Sequence, residues 1–407
     1  MIPEIPWPVS ELLEVAAISS GGTPSKSRSE YWEGGDVPWI TARDMKTLRI
    51  GQTSSMLTQA GADEARLMPA GTVFVLTRGM TLFRDLPVVL NMQTASFNQD
   101  VKALTPSADL DAEFLAATLT QRKSELLQHV STAGHGTGRL DTQRLELFPV
   151  PMPPLPEQRK IAEILRTWDD AIDAHEGLRS RAKRANSAIA AASFSPVHAE
   201  PGDLRKGWNE WKLGDLFSER NAQGDPTLPL LSVTQGKGVV TQESTGRKNS
   251  ANADRSKYKL ALPEDVAYNT MRMWQGASGV VQSTGVVSPA YTVVVPDIAR
   301  VFPHFSAHLF KSPRMIFDFE RYSQGLTSDT WNLKYPAFSE IRVNIPPLEQ
   351  QRRIADVLDQ MKQLENLHAS AAEALRTQKR GLMQKLLTGQ VRVNVAADFE
   401  PGGQNDN

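Results

Sequence analysis

Two stretches of the chain place apolar side chains at alternating steps of three and four residues, with polar side chains between them. From Glu157 to about Ser193 the apolar positions are Ile161, Leu165, Trp168, Ile172, His175 and Leu178. From about Glu349 to Leu387 they are Val357, Met361, Leu364, His368, Ala371, Leu375 and Leu382. Such a spacing is a stripe along one side of an α-helix and the pattern of a coiled-coil seam. Both stretches are free of proline and nearly free of glycine. Each opens beside prolines, which a first helical turn tolerates, and the second stops at Gly389, a suitable residue past a helix end. Some 37 residues of helix measure roughly 55 Å. Alone in water a helix of that length leaves its stripe uncovered, so the pattern predicts that the two pair with each other. The alternative is that each packs separately on its own domain.

The helix entries are copies of one another. "PPLPEQRKIAEIL" from Pro153 to Leu165 returns as "PPLEQQRRIADVL" from Pro346 to Leu358, a shift of 193 residues with eight identities in thirteen. Weaker echoes hold the shift: Val73-Phe74-Val75 with Val266-Ala267-Tyr268, Leu140 with Leu333, and Phe148 with Ile341. Trp7 to Leu12 echoes Trp211 to Leu216 at a larger shift. The chain therefore reads as two tandem copies of one unit. In each copy a long segment of short β-like runs, broken by Gly, Pro, Asn and Ser, precedes the helix. The expected fold is α+β: two tandem α/β domains joined by two long helices that pair as an antiparallel coiled coil about a pseudo-two-fold axis. The expected divisions are a first domain over 1–152, a helix over 153–200, a second domain over 201–345, a helix over 346–390 and a tail over 391–407.

Composition narrows the function. With 45 Lys and Arg against 46 Asp and Glu the net charge is -1, so a polyanion partner has to be met by local clusters. The absence of cysteine excludes disulfides, thiolate metal sites and a Cys nucleophile. No apolar run reaches a membrane span, and Met1–Val9 lacks the regions of a signal peptide, so a cytoplasmic location is expected. There is no G-x-x-x-x-G-K-[ST], no H-E-x-x-H and no G-x-S-x-G. "NIPP" from Asn344 to Pro347 has the wrong order for an amino-methyltransferase motif and belongs to the repeated helix entry. Gly134-His135-Gly136-Thr137-Gly138 reads as a contact loop rather than a phosphate cradle. No catalytic site and no metal site is expected.

Local basic loops remain. Arg247, Lys248, Arg255, Lys257 and Lys259 fall within thirteen residues, beside Asn249, Ser250 and Asn252. That mixture suits phosphate contacts from Arg and Lys and base-edge contacts from Asn and Ser, although a solvated loop balanced by distant acids has the same composition. Arg272 follows the strand-like Val266–Asn269, and the repeat places Thr77, Arg78 and Gly79 at the same turn. Arginine there suits bidentate contact with guanine or phosphate. Trp274 fits either this turn or the core.

The repeated helix entries, the opening "ISSGGTPSKSRSEYWEGGDVPWITARDM" from Ile18 to Met45, and "LLTGQVRV" from Leu386 to Val393 closely resemble the specificity subunits of Type I restriction-modification enzymes. The resemblance runs from about Trp7 to Val393. It implies two target recognition domains, each reading one part of a split double-stranded DNA target, and a coiled coil that sets the spacing and docks two modification subunits, with restriction subunits joining the assembly. S-adenosylmethionine, ATP and Mg2+ would belong to those partners and none to this chain. On that reading the DNA-contacting side chains are Arg43, Lys46, Arg78, Arg84, His135 and Arg139 in the first half, and Lys237, Arg247, Lys248, Lys257, Arg272, Trp331 and Lys334 in the second. Arg166, Asp170 and Arg181 would face the modification subunits. Ile161, Leu165, Trp168, Ile172, Val357, Met361, Leu364, Leu375 and Leu382 would form the seam. "GLMQKLLTG" from Gly381 to Gly389 has no counterpart at Ala188–Pro196, which leaves open whether the two helix ends dock equivalently. A two-headed protein-binding scaffold is the alternative function.

Overall fold

The computed structural model describes residues 6–133, 136–195, 207–246, 255–327 and 330–394. Its two long helices run Leu155–Phe194 and Leu348–Leu387, 40 residues each. The first begins two residues ahead of Glu157, with Pro156 in its first turn. The chain divides into two compact units, one of Met1–His175 with Ala371–Asn407 and the other of Glu176–Ser370. That boundary cuts both helices. Each unit thus contains a globular head, the beginning of one long helix and the end of the other, rather than a head followed by its own helix.

Inside each unit the helix segments run antiparallel. In the first, Asp169 is bonded to Lys379 and Glu157 to Arg392. Ile161 and Leu165 share one core with Leu386 and Leu387. In the second, Phe194 from the end of the first helix shares a core with Ala355 and Leu358 from the start of the second. At the 193-residue shift Phe194 takes the place of Leu387, and both are buried. The helix ends therefore dock equivalently although their sequences differ.

The seam needs correction at two positions. Ile161, Leu165 and Ile172 are buried and Trp168, Met361, Leu375 and Leu382 half-buried, but Val357 and Leu364 are 41% and 38% exposed, as is Leu178 at 42%. The second helix starts against its head as well as against the other helix. Ile354, Ala355 and Leu358 cover that face, and a residue one step from Leu358 points about 100° away from it.

The first head is built on a sheet ordered Ala16–Ser20, Val101–Pro106, Val73–Leu76, Val88–Asn91, Arg49–Ile50, antiparallel except for the last pair. Val73–Leu76 is apolar throughout and Val88–Asn91 is apolar up to its last residue, and both strands are buried at every residue, which suits interior strands. Helix Ala112–Gln121, capped by the Asp111 carboxylate accepting the Phe114 N–H at 2.9 Å, lays Phe114, Leu115 and Leu119 on the same core. The second head repeats the plan with Phe217–Glu219, Tyr291–Pro296, Val266–Asn269 and Ser278–Val280. Its core is more aromatic, with Tyr268, Phe305, Phe310, Phe319 and Phe338 fully buried.

The strongest likeness between the units is a buried glutamine. Gln158 donates from Nε2 to the carbonyls of Asp109 and Pro153, both at 2.9 Å, and its Oε1 accepts the Asp111 N–H at 2.8 Å. Gln351 donates to the carbonyls of Arg300 and Pro346, at 2.9 and 2.8 Å, and accepts the Phe302 N–H at 2.8 Å. Both side chains are fully buried with every hydrogen-bonding site on the amide group used except one lone pair. The head also clasps the stretch before each helix as a strand pair, Val9–Glu11 with Pro149–Pro151 and Asn209–Lys212 with Arg342–Ile345. Glu11 and Lys212 hold equivalent places, each opposite the residue that the 193-residue repeat matches. This shifts the expected echo by three residues, for Trp7 corresponds to the buried Trp208 and not to Trp211.

One fastening has no counterpart among the described residues. After the second helix turns at Gly389, where φ is 74°, Arg392 reaches the buried Glu157 at the start of the first helix with two contacts of 2.7 and 2.8 Å. Trp7 Nε1 donates to the same carboxylate at 3.3 Å, and the Arg392 guanidinium lies over the Trp7 ring. In the second unit Gln350 replaces Glu157, and among the described residues the buried Trp208 indole N–H has no partner.

Two outcomes follow. Gln158→Ala or Gln351→Ala leaves two carbonyls and an N–H buried and unpaired, and should cost its own unit roughly 2–4 kcal/mol, read as lost amide-exchange protection confined to that unit. The Arg392 hydrogen bonds, aided by its charge and by Trp7, hold the Glu157 carboxyl below its ordinary range against the opposing effect of burial. Its stabilising effect is complete at neutral pH and is lost as pH falls from about 4 through the lowered folded value. Glu157→Gln should therefore lower the melting temperature at pH 7 and shrink the difference from wild type in acid.

Candidate nucleic-acid interface

In the first head the buried strand Val73–Leu76 leads into a turn whose backbone is held by the Asp100 carbonyl, which accepts the N–H groups of Thr77 at 2.8 Å and Arg78 at 3.1 Å. Arg78–Gly79 then pairs antiparallel with Gly138–Leu140, placing Arg139 directly opposite Arg78 and Gly138 opposite Gly79. Gly138 permits that approach: a Cβ there would lie 3.0 Å from both the Gly79 oxygen and the Leu82 Cβ. Two exposed arginines facing each other across a ladder repel, so the fold holds a local excess of positive charge. Arg84 is exposed at the end of the following turn. Met80 and Phe83 beside it are 64% and 48% exposed, an apolar edge among the three arginines.

The second head has an equivalent turn. Leu140 donates its N–H to the Thr77 carbonyl at 2.9 Å, and Leu333 donates to the Thr270 carbonyl at 2.9 Å, so the repeat matches the turns threonine for threonine. Beyond Thr270 come Met271, 45% exposed, and the exposed Arg272, whose Nη1 lies 3.5 Å from Gln275 Oε1. Trp274 is half-buried and packs edge to face on Trp331, 5.3 Å between rings, while its Nε1 donates to the Met271 carbonyl. Trp274 thus braces the turn and is outside the main core. The Leu333 hydrogen bond brings the segment of Trp331 and the exposed Lys334 to the Arg272 turn.

The remaining expected residues stand on separate supports. Arg43 and Lys46 are exposed on a turn that Asp44 closes, one carboxylate oxygen accepting from the Thr41 N–H and hydroxyl and the other from the Ser54 N–H. Although burial works in the other direction, those hydrogen bonds hold the Asp44 carboxyl below its usual range. Lys237 sits at the tip of the hairpin Leu231–Thr234 with Gly238–Thr241, and Lys257 is exposed one residue before the buried Tyr258. Lys259 pairs with Glu219 at 3.5 Å. His135, Arg247 and Lys248 lie outside the described residues. Met80, Phe83 and Met271 escape a search for charge. The signal for the two methionines is the repeated threonine followed within three residues by methionine, and Phe83 has no such signal.

On the long helices Asp170 and Arg181 are exposed, but Arg166 is not simply an outward cation. It pairs with Glu113 of the head at 3.7 Å, and Glu113 also meets Arg49 at 3.2 Å. Among the described residues no three His, Asp or Glu side chains are placed to hold a metal ion, and no helix is long and apolar enough to cross a membrane.

The model of the family described as Type I restriction modification DNA specificity domain matches twice, over residues 4–184 and 205–375. The chain belongs to this family. Each of the two family domains takes in one head and runs into the long helix that follows it. The chain is 30% identical over 168 residues to the EcoR124I/EcoR124II specificity subunit of Escherichia coli, a match covering 41% of each protein. It is 26% identical over 290 residues to the MjaIX specificity subunit of Methanocaldococcus jannaschii, covering 63% of each. The fold is like that of the crystallised S subunit of a Type I restriction-modification system from M. genitalium, with a TM-score of 0.61 at 14% identity over 94% of this chain and 96% of the other.

The opposed arginines give a stability test. Arg139→Gln should raise the melting temperature of the first unit at low salt by on the order of 1–3 °C. The gain should vanish near 1 M salt, where charges are screened within about 3 Å.

Proposed function

We propose that the chain is the DNA-reading subunit of a Type I restriction-modification assembly, each unit reading one part of a bipartite duplex target. The observation that carries this is the repeated turn: the same threonine-anchored backbone presents Arg78, Arg139 and Met80 in one head and Arg272, Met271 and the Trp331 segment in the other. Exposed guanidiniums suit phosphate and guanine, and an adjacent exposed apolar side chain suits contact with thymine methyls or base steps. Unlike side chains on one backbone frame fit two heads that read different sequences.

On this reading the chain does no chemistry itself. Two modification subunits use S-adenosylmethionine to methylate adenine, and restriction subunits use ATP and Mg2+ to translocate and cleave, all in the cytoplasm. The paired helices set the spacing of the two half-sites and carry the docking surface for the modification subunits, with Asp170 and Arg181 on it. Arg43, Lys46, Arg84, Lys237, Lys257 and Lys334 contact phosphates around the reading turns.

The test uses the full chain assembled with its modification subunits. Arg78→Gln with Arg139→Gln should reduce the salt dependence of duplex binding by a slope of about 2, one released counterion per lost phosphate contact. Arg272→Gln should relax base choice in one half-site only, by roughly 1–3 kcal/mol, in methylation mapping of random DNA. A wild-type complex that leaves duplex DNA free would instead indicate a protein-binding scaffold.

A further inference from the structure

The two units share one joint between head and long helix but give it opposite charge. The buried glutamines align Phe114 with Phe305, and with them Glu113 with His304 and Thr120 with Lys311; the helix repeat aligns Arg166 with Asp359 and Asp169 with Lys362. In the first unit the joint is neutralised: Glu113 meets Arg49 and Arg166, and Asp169 meets Arg49 at 3.6 Å and Lys379. In the second unit an open cleft of about 1290 Å³ occupies the joint, lined by the lysines and arginines Arg179, Lys237, Lys311, Arg314 and Lys362 against only Asp359 and Glu365 as carboxylates.

Those two carboxylates are already engaged. Asp359 bonds His308 at 2.8 Å and lies 3.4 Å from His304, while Glu365 pairs with Lys362 at 3.0 Å. Arg314 faces Asp318 at 3.7 Å. Arg179, Lys237 and Lys311 have no carboxylate partner among the described residues. Burial, and then the charge of Lys362, hold the Lys311 ammonium below its ordinary pKa. The cleft also receives the N-terminus of helix Pro313–Tyr322, whose positive end adds to the same field. Lys237 reaches the rim from the Thr234–Gly238 turn.

We propose that this cleft of the second unit is a phosphate-binding site in which Lys311, Lys362, Lys237 and Arg179 hold a phosphate-bearing anion. A ligand with two or more negative charges would supply what Arg49-linked Glu113 and Asp169 supply in the first unit. Phosphate is the chemistry favoured, because several ammonium and guanidinium donors and a helix N-terminus converge on one open space wide enough for a chain of phosphates. The phosphate could come from the backbone of duplex DNA or from a free nucleotide. The first source deepens the proposed function and rests on it; the second does not.

The experiment compares the full chain with Lys311→Gln/Lys362→Gln, using Lys160→Gln/Lys385→Gln as a variant that loses two exposed charges in the other unit. Pyrophosphate titrated calorimetrically at low salt should bind wild type and the control with a Kd below about 1 mM, and the cleft variant at least tenfold more weakly. In the second arm, wild type and variant are each assembled with their modification subunits, and a short duplex of random sequence should bind the cleft variant with a salt slope lower by about 2. Loss in the pyrophosphate arm alone assigns the site to a free anion, and loss in the duplex arm assigns it to the DNA backbone. Wild-type indifference to pyrophosphate together with unchanged duplex binding in the cleft variant overturns the site, as does an equal loss in the control. Should the double variant fail to fold, Arg179→Gln on the exposed helix face takes its place in both arms. If wild type does not bind duplex at all, the DNA-reading proposal fails while the pyrophosphate arm still decides the cleft.

Discussion

Everything in this fold hangs on how a head is fixed to a long helix, and that fixture is one fully buried glutamine used twice. A primary amide is well suited to the position. It offers two donors and an acceptor without charge, so it ties two loop carbonyls and one N–H to the first helical turn with no ion to desolvate. An apolar residue would leave those backbone groups unpaired, and a glutamate would replace two donors by acceptors facing carbonyls. The strand pairs before each helix and the proline carbonyls that accept the first helical N–H groups fix the same joint from other sides, so the helix leaves the head in a single direction.

With the frame set by uncharged groups, charge is free to diverge between the copies. The first joint closes around Glu113 and Asp169 with three cations; the second places a histidine and a lysine where those acids stand. The turns after the central strands diverge in the same manner, with Arg78 replaced by Met271 and the arginine moved on by one residue. Duplication has preserved hydrogen bonds that define backbone geometry and released side chains that meet solvent or ligands.

The long helices and the repeat were legible because a 3.6-residue period and a thirteen-residue motif survive without any tertiary information. Gln158 and Gln351 lay inside that motif, yet nothing in their spacing shows that they point into the head. Val357 and Leu364 misled for a related reason: a seam pattern assumes one partner, and this helix has two. At the surface, the basic residues of the loops were visible as composition, whereas the opposition of Arg78 and Arg139 depends on a strand register formed across some sixty residues of sequence. Arg166 looked outward by helical phase until Glu113 arrived from the head. Met80, Phe83 and Met271 carry no charge, and their exposure is a property of the folded turn alone.

The strap of Arg392 on Glu157 and Trp7 bears on how the protein is made. The first unit is discontinuous, its head synthesised at the start and its last helical turns and strap at the end, whereas the second unit is one unbroken stretch nested within it. On the ribosome the nested unit has its whole sequence available while the first still lacks Leu386, Leu387 and Arg392. The part made first is therefore completed last, and until then its core stays open on the side those residues cover.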